Sequence, residues 1–242
     1  MTRHRLDTLL VEQGLAPTRE KARALIMAGS VRVADRVTDK PGALVPPDAV
    51  IQVTQPEPYV GRGGKKLAHA LDSFGIDPGG QIALDIGAST GGFTDCLLQH
   101  GARRVYAVDV GYGQMAYRLR TDPRVVVLER VNARYPLNLP GLGDLATIDV
   151  SFISVTMIIP SVLLSLKPNS LLITLIKPQF EVGKGKVGKG GVVRDPLLHA
   201  EVLSKCINWA VKQGIRIAGL TPSPILGDAG NREFFLLLRK AA

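Results

Sequence analysis

The sequence predicts a parallel α/β sheet of the nucleotide-binding type, preceded by a small α+β module. Three observations support this fold class. The apolar run IALDI at 82–86 leads directly into the glycine-rich turn GASTGG at 87–92. Runs typical of strands then alternate with runs typical of helices. Residues 3–53 differ, because their elements are shorter and more polar.

The alternation gives a definite order of elements. Strands are predicted over 82–86, 104–109, 125–129, 145–149, 171–176, 215–220 and 233–238. Helices are predicted over 65–74, 92–100, 112–120, 155–166 and 196–213. In a parallel sheet built this way, ligands bind at the carboxyl ends of the strands.

The amino-terminal module is predicted to contain two helices and a few short strands. Leu6, Leu9 and Leu10 share one face of a first helix over 6–13, and Thr18 is a natural N-cap for a second. Basic side chains recur at helical spacing on that second helix, as in a module that binds RNA. A small domain with a solvated charged face is the simpler alternative.

The glycine-rich turn indicates a nucleoside site. Gly87, Gly91 and Gly92 allow a sharp turn and a close approach of the backbone to a ligand. Asp109 ends the next strand, 24 residues after Asp85, a spacing that suits contacts with ribose hydroxyls. The pattern G-x-x-x-G-G lacks the glycine that makes room for a pyrophosphate, which favours S-adenosylmethionine. A strand–turn–helix joint without a ligand remains the alternative.

Composition and charge narrow the class of protein. With 242 residues, 45% hydrophobic and 21% charged, the chain is long enough for one sizeable core and a small extra module, and general disorder is excluded. The net charge of +9 indicates an anionic partner, nucleic acid first. Residues 61–242 carry most of that excess, with 22 basic and 14 acidic side chains.

Cysteine usage and the hydrophobic pattern predict a soluble cytoplasmic protein without a metal. Cys96 and Cys206 match no metal-ligand spacing and read as core residues. No signal peptide is recognisable at the amino terminus. The apolar stretch 156–166 is too short to span a bilayer, so no membrane partner is expected.

Four charged residues flank the predicted strands and form the candidate chemistry. Asp149 and Lys177 end two strands, Glu233 begins the last one, and Lys66 opens the helix before the first. Burial of charge at such positions is costly unless a partner or substrate compensates. Each residue alone is explained by a surface ion pair or by a charge at the end of a strand. Together with the glycine-rich turn, the four residues indicate an active site.

Two motifs that would indicate other activities, methylation of a base amino group and nucleoside triphosphate binding, are incomplete in this sequence. Residues 149–152, DVSF, lack the prolines of the motif that usually accompanies methylation of a base amino group. The loop 183–190, GKGKVGKG, ends in Gly190 where a phosphate-binding loop needs a magnesium-binding hydroxyl. Lys184, Lys186 and Lys189 on this loop are instead interpreted as contacts with RNA phosphates, with a solvated loop as the alternative.

Two resemblances extend this interpretation. Residues 3–53, with R-L-D-x-L-L and T-R-E-K-A-R-A-L-I-x-x-G-x-V-x-V, resemble the small RNA-binding domain of the S-four ribosomal type. That resemblance implies RNA phosphate contacts for Arg19, Lys21, Arg23 and Arg32.

Motifs along the rest of the chain resemble those of the TlyA (haemolysin A) family. They are YVGRGGKKL, LDIGASTGGFT, VDVGYGQ, VLERVNAR, DVSFIS, LIKPQFEVGKG and GNREFFL. Members of that family are ribosomal RNA 2′-O-methyltransferases related to the FtsJ type.

The TlyA resemblance covers nearly the whole chain and implies its site residues. It implies a Rossmann-like S-adenosylmethionine-dependent methyltransferase domain over 60–242, after an RNA-binding domain over 1–59. A catalytic tetrad is implied at Lys66, Asp149, Lys177 and Glu233, and Lys177 is the candidate proton acceptor with Asp149 orienting it. The cofactor site is assigned to Asp85, Gly87, Ser89, Gly91, Gly92, Phe93, Asp109 and Asn132.

The substrate implied by the resemblance is ribosomal RNA or a ribosomal subunit, with cytidine as the target. Gly61 departs from the family serine, but it lies in the predicted linker.

Two other functions fit parts of the sequence. A non-catalytic RNA-binding protein that assists ribosome assembly could retain a vestigial cofactor site, although the complete tetrad and turn weigh against it. A pore-forming haemolysin is suggested by the older family name, but no secretion signal or spanning segment supports it.

Overall fold

The computed structural model describes residues 3–54, 58–183, 185–227 and 229–241. Contacts divide the chain into two compact units, Met1–Pro58 and Tyr59–Ala242. Each unit has its own hydrophobic core.

The first unit is a small α+β module. Its elements are β1 (His4–Arg5), α1 (Leu6–Glu12), α2 (Arg19–Met27), β2 (Val31–Val33), β3 (Arg36–Val37), β4 (Leu44–Val45) and β5 (Ile51–Val53). β1 pairs with β4, and β2 lies between β3 and β5, all antiparallel. Thr18 caps α2 as predicted, because its hydroxyl accepts the Lys21 N–H at 3.2 Å. Leu6, Leu10 and Ile26 are fully buried and form the centre of the core.

The second unit contains the large sheet. Its strands are β6 (Ile82–Ile86), β7 (Arg104–Val108), β8 (Val125–Leu128), β9 (Gly143–Ile148), β10 (Leu166–Ile176), β11 (Arg216–Pro222) and β12 (Phe234–Arg239). Its helices are α3 (Gly63–Phe74), α4 (Gly92–Gln99), α5 (Tyr117–Arg120), α6 (Ile159–Leu164), α7 (Pro178–Glu181) and α8 (Pro196–Lys212).

The sheet order is β11-β12-β10-β9-β6-β7-β8. The five strands from β10 to β8 in this order are parallel to their neighbours, whereas β12 is antiparallel to both β10 and β11. The predicted α/β class is therefore confirmed, but the sheet is mixed rather than wholly parallel. Because β12 is reversed, its first residues lie at the edge where the parallel strands end. Ile176 pairs with Phe234, which brings Lys177 and Glu233 to the same edge.

Two predicted helices are shorter in the structure. The prediction over 112–120 reduces to α5, since Gly111 and Gly113 form a turn in which Gly113, at φ +72°, donates its N–H to Glu129. The prediction over 155–166 becomes a 3-10 turn, Val155–Met157, followed by α6. Pro160 near the start of α6 has no N–H to continue a preceding helix. α7 was not predicted.

Alternation along the strands separates two layers of core. Leu84 and Ile86 of β6 face one layer, and Ala83 faces the other. Cys96 and Cys206 are both buried, as the sequence predicts, and they form no disulfide. Among the helices described, none is long and apolar enough to cross a bilayer.

Candidate active site

The four tetrad residues lie together on one cavity. This cavity, called the tetrad cavity below, has a volume of about 350 Å³ and is open at the carboxyl edge of the sheet. Its walls include Lys66, Gly87, Ser89, Gly92, Phe93, Asp149, Ser151, Lys177 and Glu233. Asp149 and Lys177 each lie one residue beyond the end of a strand, and Glu233 lies one residue before β12.

Lys66 and Glu233 form the more buried of two ion pairs. Lys66 Nζ donates a hydrogen bond to Glu233 Oε2 at 2.7 Å, between side chains that are 10% and 3% exposed. Lys66 projects from the first turn of α3, and Glu233 lies at the end of the turn that leads into β12. Gly227 lies against the Glu233 carboxylate, where a Cβ would collide with it. The turn therefore encloses this carboxylate closely.

Lys177 and Asp149 form the second pair. Lys177 Nζ lies 2.5 Å from Asp149 Oδ1 and donates a hydrogen bond to Ser151 Oγ at 3.1 Å. Asp149 Oδ1 is buried, and among the described residues it accepts no well-aligned hydrogen bond, so this contact is ionic rather than directional. Lys177 is thus held between two oxygens at the end of β10.

A second cavity adjoins the first. This nucleoside cavity, as we call it, has a volume of about 470 Å³. It shares Gly87, Ser89, Asp149 and Ser151 with the tetrad cavity. Its other walls include Val108, Asp109, Val110, Gln114, Val131, Asn132, Phe152 and Ile153. The Lys177–Asp149 pair consequently lies at the boundary between two spaces.

Asp109 is positioned by the two turns beside it. Its Oδ2 accepts the Ser89 N–H at 2.7 Å, and its Oδ1 accepts the Gly111 N–H at 2.6 Å. Each carboxylate oxygen keeps a lone pair for a further donor. Asn132 lies on the same cavity wall, with its side-chain oxygen accepting the Arg134 N–H at 3.0 Å. Both assigned residues can therefore present polar atoms to a ligand.

Asp85 does not line either cavity, in contrast to its assignment from the sequence. It lies inside β6, where alternation with Leu84 and Ile86 turns its side chain into the sheet's other layer. Its carboxylate is fully buried and accepts hydrogen bonds from Thr94 Oγ1 at 2.6 Å and Thr147 Oγ1 at 3.2 Å. Burial raises the pKa of Asp85 to about 7, against the lowering effect of these two bonds.

The glycines of the turn make room for protein as well as for a ligand. At Gly87, with φ +84°, a Cβ would collide with the carbonyl oxygen of Asp149. At Gly91, with φ +98°, it would collide with the Leu119 side chain. Gly91 lines neither cavity, so its requirement is for packing. Gly87 brings the turn against the backbone that carries Asp149.

The basic residues assigned to RNA in the first unit are exposed. Arg19, Lys21, Arg23 and Arg32 all lie at the surface. Arg19 Nε also donates to the buried Asp7 at 3.1 Å. The hydrogen bonds from Arg5, and to a lesser degree those from Arg19, lower the pKa of Asp7 to about 2. Arg19 is therefore anchored to the module, whereas Lys21 and Arg23 project from α2.

The lysine-rich loop is only partly accounted for. Lys184 lies outside the described residues. Lys186 is exposed and pairs with Glu201 of α8 at 2.5 Å, while Lys189 is exposed in a 3-10 turn. Asn231 connects this loop to the turn before Glu233: its Nδ2 donates to the Gly191 carbonyl, and its Oδ1 accepts the Val193 N–H, both at 2.9 Å.

Several residues at the site were not singled out from the sequence. Ser151 contacts Lys177, and Phe152, 91% exposed with φ +64°, lies with its ring centroid 5.0 Å from that of Phe180. Glu181 binds the segment that follows Phe152. All four lie within the quoted motifs DVSFIS and LIKPQFEVGKG, which was the available signal. No cluster of three or more His, Cys, Asp or Glu suited to a metal occurs in the described ranges.

Comparisons with known proteins identify the family. A family model for the FtsJ-like methyltransferases matches residues 59–240, and a model for the S4 domain matches residues 4–51. The chain belongs to the FtsJ-like methyltransferase family. Both resemblances stated from the sequence are thereby confirmed, and the large sheet is the methyltransferase fold of this family.

Relatives of this family match nearly the whole chain. YqxC of Bacillus subtilis, described as a candidate rRNA methyltransferase, is 51% identical over 98% of this chain and 85% of its own. The 16S/23S rRNA (cytidine-2′-O)-methyltransferase TlyA of Mycobacterium tuberculosis is 47% identical over 98% of this chain and 90% of its own. A solved structure from Streptococcus thermophilus, described as a candidate hemolysin, is 42% identical with a TM-score of 0.76, covering 100% of this chain and 90% of its own.

Proposed function

We propose that this methyltransferase moves a methyl group from S-adenosylmethionine to a ribose 2′-hydroxyl of ribosomal RNA, with cytidine as the target. The observation that carries this proposal is the pair of adjoining cavities, which share the wall formed by Gly87, Ser89, Asp149 and Ser151. A cofactor in one and a nucleotide in the other would meet beside Lys177. The name of the M. tuberculosis relative supports the choice of substrate.

The nucleoside cavity fits the cofactor in both size and chemistry. At about 470 Å³ it lies within the usual range for small-molecule sites. The free lone pairs of Asp109 suit ribose hydroxyls, and Val110, Val131 and Ile153 offer apolar surface to a purine ring. S-adenosylmethionine supplies an electrophilic methyl group on a sulfonium. Ser89 and Gly87, on the shared wall, would hold its reactive end towards the tetrad cavity.

Lys177 is the proposed proton acceptor. A ribose hydroxyl is a weak nucleophile until its proton is removed or strongly polarised. In its neutral form, Lys177 Nζ can accept that proton, and the adjacent Asp149 carboxylate compensates the positive charge the lysine acquires. Ser151 Oγ fixes the lysine from a second direction. The four tetrad residues thus have distinct tasks, and Lys66 with Glu233 forms the wall that positions the nucleotide.

The aromatic residues at the mouth of the site support a nucleic-acid substrate. Phe152 is 91% exposed, and its ring packs only partly on Phe180. Exposed aromatic rings of this kind stack on unpaired bases, which contributes about 1–3 kcal/mol per base. We therefore assign Phe152 a contact with a base near the target ribose.

RNA capture is assigned to the first unit and to the lysine-rich loop. Arg19, Lys21, Arg23 and Arg32 are exposed on a module of the S4 family, and Lys184, Lys186 and Lys189 are the loop's candidates. We place the boundary between RNA-binding and methyltransferase domains after residue 59, next to the division of contacts at Pro58. Ribosomal RNA as substrate implies a cytoplasmic location.

The test is transfer of labelled methyl groups to ribosomal RNA in purified subunits, followed by mapping of 2′-O-methylation. The wild-type protein should modify a ribose hydroxyl, whereas Lys177→Ala should not at a comparable rate. The double variant Lys21→Ala/Arg23→Ala should bind RNA more weakly. Its affinity should also depend less on salt, because binding releases fewer counterions when phosphate contacts are missing. A wild-type protein that binds both cofactor and RNA without transferring methyl groups would instead be an assembly factor.

A further inference from the structure

Two segments at the carboxyl edge of the sheet run side by side and contact each other at three levels. The first, the 149–155 loop, follows β9; the second, the 177–181 segment, comprises Lys177 and α7. At the first level Lys177 contacts Asp149 and Ser151. At the second, the rings of Phe180 and Phe152 are 5.0 Å apart. At the third, the Glu181 carboxylate binds Ser154 and Val155.

The Glu181 contact is the most regular of the three. Oε1 accepts the Val155 N–H at 2.8 Å, and Oε2 accepts the Ser154 hydroxyl at 2.7 Å. Only 2% of Glu181 is exposed, and it lines neither cavity. Lys205 Nζ of α8 donates to the Glu181 carbonyl oxygen at 2.9 Å, which fixes the end of α7 from behind. A buried carboxylate with both oxygens bound to one loop is an anchor for that loop.

The 149–155 loop needs such an anchor because part of it is strained. Phe152 has φ +64°, a conformation that is unfavourable for a bulky residue. Strained backbone persists only where surrounding contacts over-determine it. Asp149 N–H binds the Ile86 carbonyl at one end of the loop, and Glu181 holds the other end. The loop that carries Asp149 and Ser151 is therefore fastened on both sides of Phe152.

We propose that Glu181 is a positioning residue for methyl transfer, which sets Asp149 and Ser151 against Lys177 by clamping the far end of their loop. The inference rests on the proposed function. It assigns Glu181 no contact with substrate or cofactor. Its effect is exerted through the loop, so that loss of the clamp changes alignment in the tetrad cavity rather than binding in the nucleoside cavity.

The experiment compares three variants in single-turnover methyl transfer with both substrates saturating. Glu181→Ala removes both contacts and leaves the buried Val155 N–H without its acceptor. Glu181→Gln keeps an acceptor for Val155 and offers Ser154 an N–H, which a hydroxyl can accept. Asp144→Ala is the matched control: its carboxylate also accepts a backbone N–H, that of Ile82 at 2.9 Å, but at the opposite edge of the sheet.

Glu181→Ala should lower the transfer rate by about tenfold to a hundredfold, because small misplacements of reacting groups cost that much. The dissociation constants of cofactor and RNA, measured separately, should stay within about twofold of wild type, as expected for an interaction used only during reaction. Glu181→Gln should recover most of the rate, and Asp144→Ala should match wild type below its own melting temperature.

The proposal is overturned if Glu181→Ala reacts as fast as Asp144→Ala, if its loss lies entirely in RNA affinity, or if Glu181→Gln is equally impaired. Should Glu181→Ala fail to fold, Ser154→Ala decides in its place, since of the two Glu181 contacts it removes only the one to Oε2, together with the contacts of the Ser154 hydroxyl with Thr156, and should give a smaller loss of rate. Hydrogen exchange of the Val155 N–H, measured without substrates, should be faster in Glu181→Ala and in Ser154→Ala than in wild type. That measurement tests the clamp even if wild type transfers no methyl group, the result that would refute the proposed function instead.

Discussion

Lys66 and Glu233 form one lysine–carboxylate pair of the tetrad cavity, and Lys177 and Asp149 form the other. The first pair is 10% and 3% exposed and makes a directed hydrogen bond of 2.7 Å. The second is 13% and 21% exposed and includes Ser151; Lys177 lines the tetrad cavity, and Asp149 lines both cavities. Pairs of the same composition thus differ in the access of a second molecule to their charges. We assign positioning to the more buried pair and proton transfer to the more exposed one.

The largest expected effect is on stability and separates the pairs. Lys66→Met should lower the free energy of unfolding by about 3–5 kcal/mol, because it leaves the Glu233 carboxylate buried without its partner. Lys177→Met, the matched change, should cost clearly less, since Asp149 can be hydrated from the cavities. Urea denaturation of both variants measures the difference. Equal losses would show that the two pairs are structurally equivalent.

The next effect concerns the rate of methyl transfer, which we expect to depend on the Lys177–Asp149 pair. Lys177→Ala should lower the single-turnover methylation rate by about a hundredfold or more, the usual range for a lost general base, with cofactor and RNA affinities nearly unchanged. Lys177→Arg should not restore the rate, because a guanidinium stays protonated. Transfer of labelled methyl groups at saturating substrates provides the measurement. A near-normal rate in the arginine variant would leave Lys177 a purely electrostatic role.

A smaller effect is expected beyond both pairs, in the nucleoside cavity. Asp109→Ala should weaken cofactor binding by about 1.5–3 kcal/mol, through loss of charge-assisted hydrogen bonds to the ribose. Calorimetry can compare it with Lys177→Ala, which should bind cofactor normally. Unchanged affinity in a folded Asp109→Ala protein would mean that the cofactor lies elsewhere, and that the shared wall has another purpose.

The smallest effect distinguishes a buried carboxylate without a lysine from the two paired ones. The pKa of Asp85 is raised from 3.8 to about 7, so the folded protein holds this proton more tightly than the unfolded chain does. Its contribution to stability is full below pH 3.8 and is lost as the pH rises towards 7.

Asp85→Asn removes this titration and isolates its effect. Wild type should gain stability relative to the variant as the pH falls from about 7 to about 5, by less than about 1.4 kcal/mol per pH unit. Thermal unfolding of both proteins across that range measures the gain. A constant difference between them would show that Asp85 does not titrate there.

The structure also shows how far the sequence predicted the site. Asp109, Asp149 and Lys177 were predicted to lie together because each directly follows an apolar run, and residues beyond the ends of parallel strands converge at one edge. The same reasoning assigned Asp85 to the cofactor site, but its side chain lines neither cavity. It lies within β6 rather than beyond it, so alternation carries its side chain into the core. Ser151 and Glu181 escaped because no local pattern distinguishes an anchoring residue from any other polar residue.

The sequence by itself determined the α/β class, the amino-terminal module and the order of strands along the chain, because hydrophobic periodicity and motif spacing are local properties. Only the tertiary structure decided that β12 runs antiparallel, which brings Glu233 beside Lys177, and that the four charges divide into a more buried and a more exposed pair. Strand direction and burial depend on contacts between residues far apart in the chain. Lys66 and Glu233 are 167 residues apart, yet they share one hydrogen bond.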